Sequence, residues 1–381
     1  MSILTHLWAI AGYVLPFLFV LSLVVFFHEL GHFLIGRWCG VKVDAFSLGF
    51  GPEIFGFTDR YGTHWRLAAL PLGGYVKFHG DANGASMTDE AAATAMSPQE
   101  RAVSFFAQTV WKRAAIVAAG PIANFILAIV IFTGIFYVNG RAILLPKVDS
   151  VAAGSAAEGA GFQPGDLIIS IDGTKVDSFE DMQRIVQTAS DTQLVFTIDR
   201  DGKLMDLVAT PRRRDVVTAF GTTRVGILGV QSKGKPENWH TQHYGFVDSV
   251  KLAGSETWFV VARTGSYLKG LVAGTETTDQ LSGPIRIAEV SGAMAKIGLA
   301  AVLNLAAILS ISVGMLNLFP IPLLDGGHLF YYAVEVIRGK AMNDKAQQFG
   351  FKIGLMLVTS LMIFATYNDI LRLTRQLMHW G

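Results

Sequence analysis

Residues 27–32 read Phe-His-Glu-Leu-Gly-His, so that His28, Glu29 and His32 form an H-E-x-x-H pattern. The residues before this pattern, 13–27, are almost wholly apolar, and the apolar character resumes directly after it. A run of that length is typical of a membrane-spanning helix. The pattern therefore lies at the end of a predicted membrane helix, where ionisable side chains are costly and usually functional.

The spacing of the two histidines suits a metal ion. A helix turns by about 100° per residue, so His28 and His32 lie one turn apart on one face and both imidazoles can reach a single metal. Glu29 points about 100° away from His28, from where its carboxylate can accept a proton from water near the metal. Histidine pairs with this spacing also occur by chance. The apolar setting favours metal binding over a structural role.

Composition indicates a membrane protein with some soluble mass. The chain has 381 residues, of which 51% are hydrophobic and 16% charged, and its mean hydropathy is +0.42; soluble domains average about 25% charged residues. The net charge of +1 gives no indication of nucleic-acid binding. A single cysteine, Cys39, excludes an intrachain disulfide and a thiolate zinc site, which leaves His, Asp and Glu as ligands. We expect no cleaved signal peptide, since no Lys or Arg precedes the apolar run.

These patterns predict a polytopic α-helical membrane protein with four transmembrane helices, a membrane-associated β region and one soluble α+β domain. In chain order, we expect a first membrane helix (1–40), the β region (41–80), a loop and an amphipathic helix (81–112), a second membrane helix (113–140), the soluble domain (145–213), a linker and a membrane-surface helix (214–284), a third membrane helix with a Leu-Leu-Asp-Gly-Gly motif (285–340), and a fourth membrane helix with a C-terminal tail (346–381).

The β region carries alternating apolar residues interrupted by Gly and Pro, a pattern that predicts hairpins. Such backbone at membrane depth is tolerated only where it is buried in protein or lines a wet cavity. A sheet beside the metal could pair with an extended substrate strand. The alternative is an ordinary sheet in a cytoplasmic loop.

Basic residues predict the orientation of the chain. No Lys or Arg precedes the first apolar run, whereas Arg37 and Lys42 follow it. The positive-inside rule therefore places the N-terminus outside and the two histidines near the cytoplasmic face. Lys340 follows the motif that contains Asp325, which places Asp325 on the same side.

A hydrolytic zinc site needs three protein ligands and one open position, so one ligand is missing from the histidine pattern. Asp325 lies on a Pro- and Gly-rich break between apolar spans and is the favoured third ligand. His328 is a rival ligand or a partner that supports the site. Asp325 could also cap the helix that follows, which would not exclude ligation.

The soluble domain has a recognisable element order. It contains a predicted strand over 167–171, an Asp172-Gly173 turn, a helix over about 178–188, and two more strands joined at Asp201-Gly202. Together with the segment Ala-Gly-Phe-Gln-Pro-Gly-Asp-Leu-Ile at 160–168, this order resembles a PDZ domain of the bacterial protease type. PDZ domains bind peptide C-termini or strands by β-addition. Only one copy is visible.

Several segments together resemble the site-2 proteases of the bacterial RseP type. They are the histidine pattern, Gly-Phe-Gly-Pro at 49–52, Leu-Pro-Leu-Gly-Gly-Tyr-Val-Lys at 70–77, Gly-Pro-Ile-Ala-Asn at 120–124, the PDZ-like domain, and Asn-Leu-Phe-Pro-Ile-Pro-Leu-Leu-Asp-Gly-Gly-His-Leu at 317–329. The resemblance covers nearly the whole chain. Many members of the RseP type carry two tandem PDZ domains, and this chain departs from them in showing one.

The resemblance also implies roles for individual residues. It implies that His28, His32 and Asp325 bind zinc and that Glu29 is the general base and acid. Asn317 would lie near the substrate. The residues Gly49, Phe50 and Gly51 would belong to a membrane re-entrant β element beside the active site.

The function implied is that of a zinc metalloendopeptidase of the bacterial inner membrane, with the PDZ domain in the periplasm. It would cut the transmembrane segments of single-span proteins, such as anti-sigma factors or signal-peptide remnants, in regulated intramembrane proteolysis. Its partners would be these substrates, the lipid bilayer and a peptide or C-terminus at the PDZ domain, with no nucleic acid. A membrane adaptor with a degenerate metal site is the first alternative, and the presence of Glu29 and all three ligands argues against it. A transporter would need more polar residues along the spans.

Overall fold

A computed structural model of the chain describes residues 3–81, 96–218, 221–233, 238–274 and 283–378. Most of the loop predicted within 81–112 (residues 82–95) lies outside these ranges. The contacts between Cα atoms divide the chain into two units. Unit 1 comprises Met1–Gly134, Val247–Ser266 and Thr278–Gly381, and unit 2 comprises Ile135–Phe246 and Tyr267–Thr277.

The secondary structure alternates long helices with short strands. The helices are α1 Ile3–Trp38, α2 Pro98–Ala102, α3 Val110–Asn139, α4 Ala156–Gly159, α5 Phe179–Thr188, α6 Phe246–Val272, α7 Pro284–Ile297, α8 Leu299–Asn317, α9 Asp325–Arg338 and α10 Asp344–Met378. The strands are β1 Val43–Thr58, β2 His64–Phe78, β3 Arg141–Leu144, β4 Ser150–Val151, β5 Leu167–Ile171, β6 Thr174–Lys175, β7 Leu194–Arg200, β8 Lys203–Ala209, β9 Arg212–Thr218, β10 Gly221–Ile227, β11 Val230–Gln231 and β12 Trp239–Gln242.

Four helices of the described residues are long and apolar enough to cross a membrane. They are Ala11–Trp38 within α1, the whole of α3, the whole of α8, and Lys345–Leu371 within α10. Their lengths of 28, 30, 19 and 27 residues compare with the roughly 20 residues that span a bilayer core. The four predicted membrane helices are therefore present by length and composition.

The β region folds as an antiparallel sheet of β1 and β2. The first half of β1 pairs with both ends of β2, so that Ser47 lies opposite Tyr75 on one side and Arg66 on the other. The segment from Gly74 to Phe78 is consequently an edge of this sheet, with β1 as its pairing partner among the described residues. The predicted hairpin character of this region is confirmed.

A buried cluster ties this sheet to the helices. Phe33 of α1, Phe46 of β1, Ile116 of α3 and Tyr332 of α9 are each at most 9% exposed and belong to one apolar core. Trp65 of β2 stacks on Phe46 with 4.4 Å between ring centroids. The core fixes the ends of α1, α3 and α9 against the sheet, and those ends carry the candidate site.

The amphipathic helix predicted after Ser97 is much shorter than expected. Its capping box is present, because the Ser97 hydroxyl accepts from the Glu100 backbone N–H at 3.3 Å and Glu100 Oε2 accepts from the Ser97 N–H at 2.9 Å. The helix, α2, nevertheless ends at Ala102. The side-chain amide of Gln108 donates to the Ala102 carbonyl at 2.8 Å, which satisfies a group that a further turn would have bonded.

Unit 2 has the element order predicted from the sequence. The strand β5, the helix α5 and the hairpin of β7 and β8 follow one another as expected, and the four-stranded antiparallel sheet has the order β6-β5-β7-β8. Asp172 and Asp201 adopt positive φ values of 48° and 52° at the two predicted Asp-Gly turns. The core contains Ile168, Phe196 and Ile198, each at most 1% exposed.

The linker predicted at the start of 214–284 is contradicted, because the described residues up to Phe246 belong to unit 2. This segment contains β10, β11 and β12, of which β11 pairs with β4 and β12 pairs with β3. Leu228, which is 2% exposed, belongs to the core of the unit. The pairing partners lie far earlier in the chain, so the short, Gly-rich strands carry no local signal of their pairing. The helix predicted after this segment is present as α6.

Leu228→Ala should destabilise unit 2 by about 2–5 kcal/mol, because it removes buried methyl groups and leaves a cavity. Hydrogen exchange of the β5 and β7 amides in the full chain would report this as faster exchange. Leu204, which is 69% exposed, supplies the control, and Leu204→Ala should stay within about 0.5 kcal/mol of wild type. Unchanged exchange in Leu228→Ala would contradict the inclusion of residues 221–242 in the unit.

Candidate active site

The two histidines of α1 face each other in the interior of unit 1. His28 is 8% exposed and His32 is 9% exposed. Their Nε2 atoms lie 3.3 Å apart, as expected for imidazoles one helical turn apart on one face. The end of the first membrane helix therefore presents two nitrogen donors to one point.

Helix α3 orients His32. The Ile116 carbonyl lies 2.9 Å from His32 Nδ1 and accepts its N–H. This hydrogen bond fixes the tautomer, so that His32 Nε2 keeps its lone pair. Gly120 lies against both imidazoles, and a Cβ at this position would collide with the ring of His32. The absence of a side chain at Gly120 allows α3 to approach the histidines closely enough to form the hydrogen bond.

Two asparagines flank His28. The Asn317 amide N–H donates to His28 Nε2 at 3.2 Å, so Nε2 is the unprotonated nitrogen and Nδ1 carries the hydrogen. The Asn124 amide lies 3.2 Å from Nδ1, and its Oδ1 atom is buried without a hydrogen-bond partner among the described residues. Rotating that amide by 180° lets Nδ1–H donate to Oδ1. Asn124 thus holds His28 as Ile116 holds His32.

Asp325, the first residue of α9, completes the cluster. Its Oδ2 atom lies 3.2 Å from His28 Nε2 and its Oδ1 atom 3.5 Å from His32 Nε2. Burial raises the pKa of this carboxyl, and only protonated imidazoles at His32 and His28 would hold that pKa below the ordinary value. Leu324 is the N-cap residue and makes no side-chain capping bond. The alternative of Asp325 as a helix cap is therefore wrong.

The donor set fits zinc. Tetrahedral Zn²⁺ with bonds of about 2.05 Å to nitrogen and oxygen separates its ligand atoms by about 3.4 Å. The two Nε2 atoms lie 3.3 Å apart, and each lies 3.2 or 3.5 Å from a different oxygen of Asp325. With one ligand atom per residue, all three atoms lie within 4.8 Å of one another. Asp325 Oδ2 is buried without a hydrogen-bond donor in the part of the chain that the structure describes. Two imidazole lone pairs and a carboxylate that converge in this way need a cation between them.

The two histidines and Asp325 line a cavity with a volume of about 190 Å³, and Glu29 lines it as well. Val76, on the edge of the sheet, lines this cavity together with Glu29. Gly74 on that edge contacts Glu29 so closely that a Cβ would lie 3.0 Å from Glu29 Cγ. The sheet edge therefore fixes the position of Glu29 beside the cluster of Asp325 and the two histidines.

Only some of the remaining predicted site residues line the cavity. Asn317 lines the cavity, whereas Gly49, Phe50 and Gly51 do not. Phe50 instead stacks on Tyr75, which does line it, with 6.1 Å between ring centroids. The rival ligand His328 is not among the lining residues described and lies outside the group of possible metal donors.

Sequence reasoning missed two contributions to the site: the Ile116 carbonyl and the Asn124 amide. The first is a backbone group, which carries no residue-type signal. Asn124 carries one, as a polar residue inside an apolar span. Its contact with His28 links positions 96 residues apart in the chain.

Known proteins resemble this chain over most of its length. The profile of peptidase family M50 matches residues 16–361. A protein of Agrobacterium fabrum, named as a candidate zinc metalloprotease, is 48% identical over 362 residues, covering 95% of this chain and 96% of its own length. Metalloprotease MmpA of Caulobacter vibrioides is 38% identical over 380 residues, covering 93% and 94%. A solved PDZ domain of an SdrC-like protein from Listeria monocytogenes is 20% identical, covers 22% of this chain and 83% of its own, and gives a TM-score of 0.18.

The chain belongs to peptidase family M50. It is a zinc metalloprotease of a family of intramembrane proteases and, with its four apolar helices, a multi-pass membrane protein.

Purified wild-type protein should hold one zinc ion per chain, and Asp325→Ala and His32→Ala should each lose it after dialysis, because two ligands alone bind zinc weakly. Elemental analysis by mass spectrometry measures the stoichiometry. His328→Ala should retain zinc. Retention by Asp325→Ala with loss by His328→Ala would mean that the third ligand is His328.

Asn124→Ala should weaken zinc binding by about 10–100-fold, because His28 loses the acceptor that holds its tautomer. Competition with a chromophoric chelator measures the affinity. Asn124→Asp retains an acceptor at this position and should bind zinc within a few-fold of wild type. If the alanine and aspartate variants bound equally well, the hydrogen bond to Nδ1 would have no part in metal binding.

Proposed function

We propose that this protein hydrolyses peptide bonds inside the transmembrane segments of single-span membrane proteins, with His28, His32 and Asp325 as zinc ligands and Glu29 as general base and acid. One observation carries the proposal: the three donors and Glu29 open into one cavity beside the edge of a sheet. Family membership supports the reaction class. The choice of substrate rests on the cavity and on the apolar helices around it.

The residues of the chain have separate tasks in this reaction. When bound, zinc supplies a Lewis acid that polarises the scissile carbonyl and activates water. Glu29 takes a proton from the attacking water and transfers it to the leaving amine, and the close approach of Gly74 limits its position. Asn317 directs its amide N–H into the cavity, where it can donate to a carbonyl oxygen of the substrate as negative charge develops.

The substrate must reach this site in an extended form. In a helix each peptide carbonyl is hydrogen-bonded to the N–H four residues on, so the scissile carbonyl must be released from the helix before it can be attacked. The edge strand from Gly74 to Phe78 uses one side for pairing with β1, and Gly74, Tyr75 and Val76 line the cavity. A substrate strand added to this edge would have its carbonyls released from helical hydrogen bonds and held beside Glu29.

The segment Gly49-Phe50-Gly51 would act on the substrate through this edge strand. Phe50 is 45% exposed, and its ring is stacked at 21° to that of Tyr75. We assign Phe50 the role of holding Tyr75 against an apolar side chain of the substrate. Phe50 would then act on the substrate through Tyr75, without lining the cavity itself.

We place the protein in a bacterial inner membrane, with the active site near the cytoplasmic face and the PDZ domain in the periplasm. The distribution of Lys and Arg around the first span supports this orientation. The exposed Trp258 and Phe259 of α6, at 70% and 57%, suit a helix that lies at the membrane surface. A single PDZ domain can bind an exposed C-terminus of a substrate already shortened by another protease.

Glu29→Gln should abolish cleavage of a single-span substrate in proteoliposomes, with a loss of at least about 10³-fold, because the glutamine amide cannot accept the proton. Zinc content and melting temperature should stay near wild type. Glu180→Gln, at an exposed position of unit 2, is the matched control and should cleave normally. Turnover by Glu29→Gln at the wild-type rate would refute the assignment. Absence of cleavage by both the wild type and Glu29→Gln would favour the membrane adaptor.

A further inference from the structure

An ion pair outside the cavity joins two of the helices that build the site. Arg113, near the start of α3, donates to Glu335 Oε1 of α9 at 2.6 Å. The two side chains are 15% and 20% exposed. The guanidinium also lies 4.9 Å from the ring centroid of Tyr332, one turn before Glu335 on α9. Neither residue lines the cavity as described.

Each of these helices contributes a different part of the metal cluster. Helix α3 supplies the Ile116 carbonyl and the Asn124 amide, which orient the two histidines. Helix α9 begins with Asp325. The geometry of the cluster therefore depends on how α9 lies along α3, since a shift of α9 would carry Asp325 away from the imidazoles.

Apolar packing alone defines this placement poorly. Tyr332 and Ile116 belong to the same buried core, which holds the two helices against the sheet. Apolar contacts are not directional, however, and cores lose a unique arrangement before they lose stability. An Arg–carboxylate hydrogen bond is directional. A partly buried ion pair also contributes little net stability, and its best-attested use is to specify one arrangement of the elements that it joins.

We propose that Arg113 and Glu335 are positioning residues for the metal site: their ion pair, with Tyr332 beneath the guanidinium, sets the position of α9 along α3 and so places Asp325 at bonding distance from the metal held by His28 and His32. The inference rests on the proposed role of Asp325 as the third ligand. It assigns the pair no contact with substrate or zinc.

The test measures zinc affinity rather than activity. Glu335→Gln and Arg113→Gln should each weaken zinc binding by about tenfold. This is the lower end of the loss in affinity seen when a group that supports a metal ligand is removed. Chelator competition on the detergent-solubilised full chain measures the affinity. The decisive measurement repeats Glu335→Gln in an Asp325→Ala background, where His28 and His32 still supply two donors. With no Asp325 to position, the substitution should have no further effect there.

A matched control comes from unit 2, where Arg200 donates to the fully buried Asp166 at 2.7 Å. Asp166→Asn breaks a comparable pair and should lower thermal stability while zinc affinity stays unchanged. If Glu335→Gln does not fold, Arg113→Lys, which keeps the charge but loses the planar group over Tyr332, should show a smaller loss of affinity that also disappears in the Asp325→Ala background.

Two outcomes would overturn the inference. Wild-type zinc affinity in the Arg113 and Glu335 variants would show that the pair does not position the site. An equal loss with and without Asp325 would show a general structural role. Wild-type affinity in Asp325→Ala alone would instead remove the ligand assignment on which the inference rests, and this arm separates the two failures.

Discussion

The structure depends on the convergence of two imidazole lone pairs and one carboxylate within 3.2–3.5 Å of one another. In the interior of a helical bundle such groups repel unless a cation lies between them, so metal binding and the packing of the helices are parts of one equilibrium. Each element around the cluster restricts the position or the protonation of one of its side chains. Helix α3 fixes the tautomers, the break before α9 turns Asp325 inward, and the sheet edge holds Glu29.

The sheet edge serves binding and chemistry together. Gly74 lies against Glu29, and Gly74, Tyr75 and Val76 of this edge line the cavity. In the proposed reaction, a substrate strand paired with this edge would lie beside Glu29, and rotation of the peptide away from Glu29 would break the strand pairing. Positioning of this kind reduces the entropy that the reaction must lose at its transition state.

The sequence predicted the parts of this site that depend on residue type. The histidine pattern, Glu29 and the lone Asp325 on a Pro- and Gly-rich break were all visible, because ionisable groups between apolar spans are rare. It could not predict the support of the site, since Ile116 acts through a backbone carbonyl and Asn124 meets His28 only once two helices pack. The same limit explains the missed strands of unit 2. Residues 230–231 and 239–242 pair with β4 and β3, and short strands are defined by distant partners rather than by their own composition.

The order of the ligands along the chain has a consequence for biosynthesis. The first two donors lie in the first membrane helix, and the third lies beyond the third membrane helix. A ribosome therefore releases most of the chain, including the whole of unit 2, before the site can close around a metal. The nascent protein inserts beside other newly made membrane segments while it lacks a complete catalytic centre. If the protein cleaves transmembrane segments as proposed, late closure of the metal site delays that activity until most of the chain has been made.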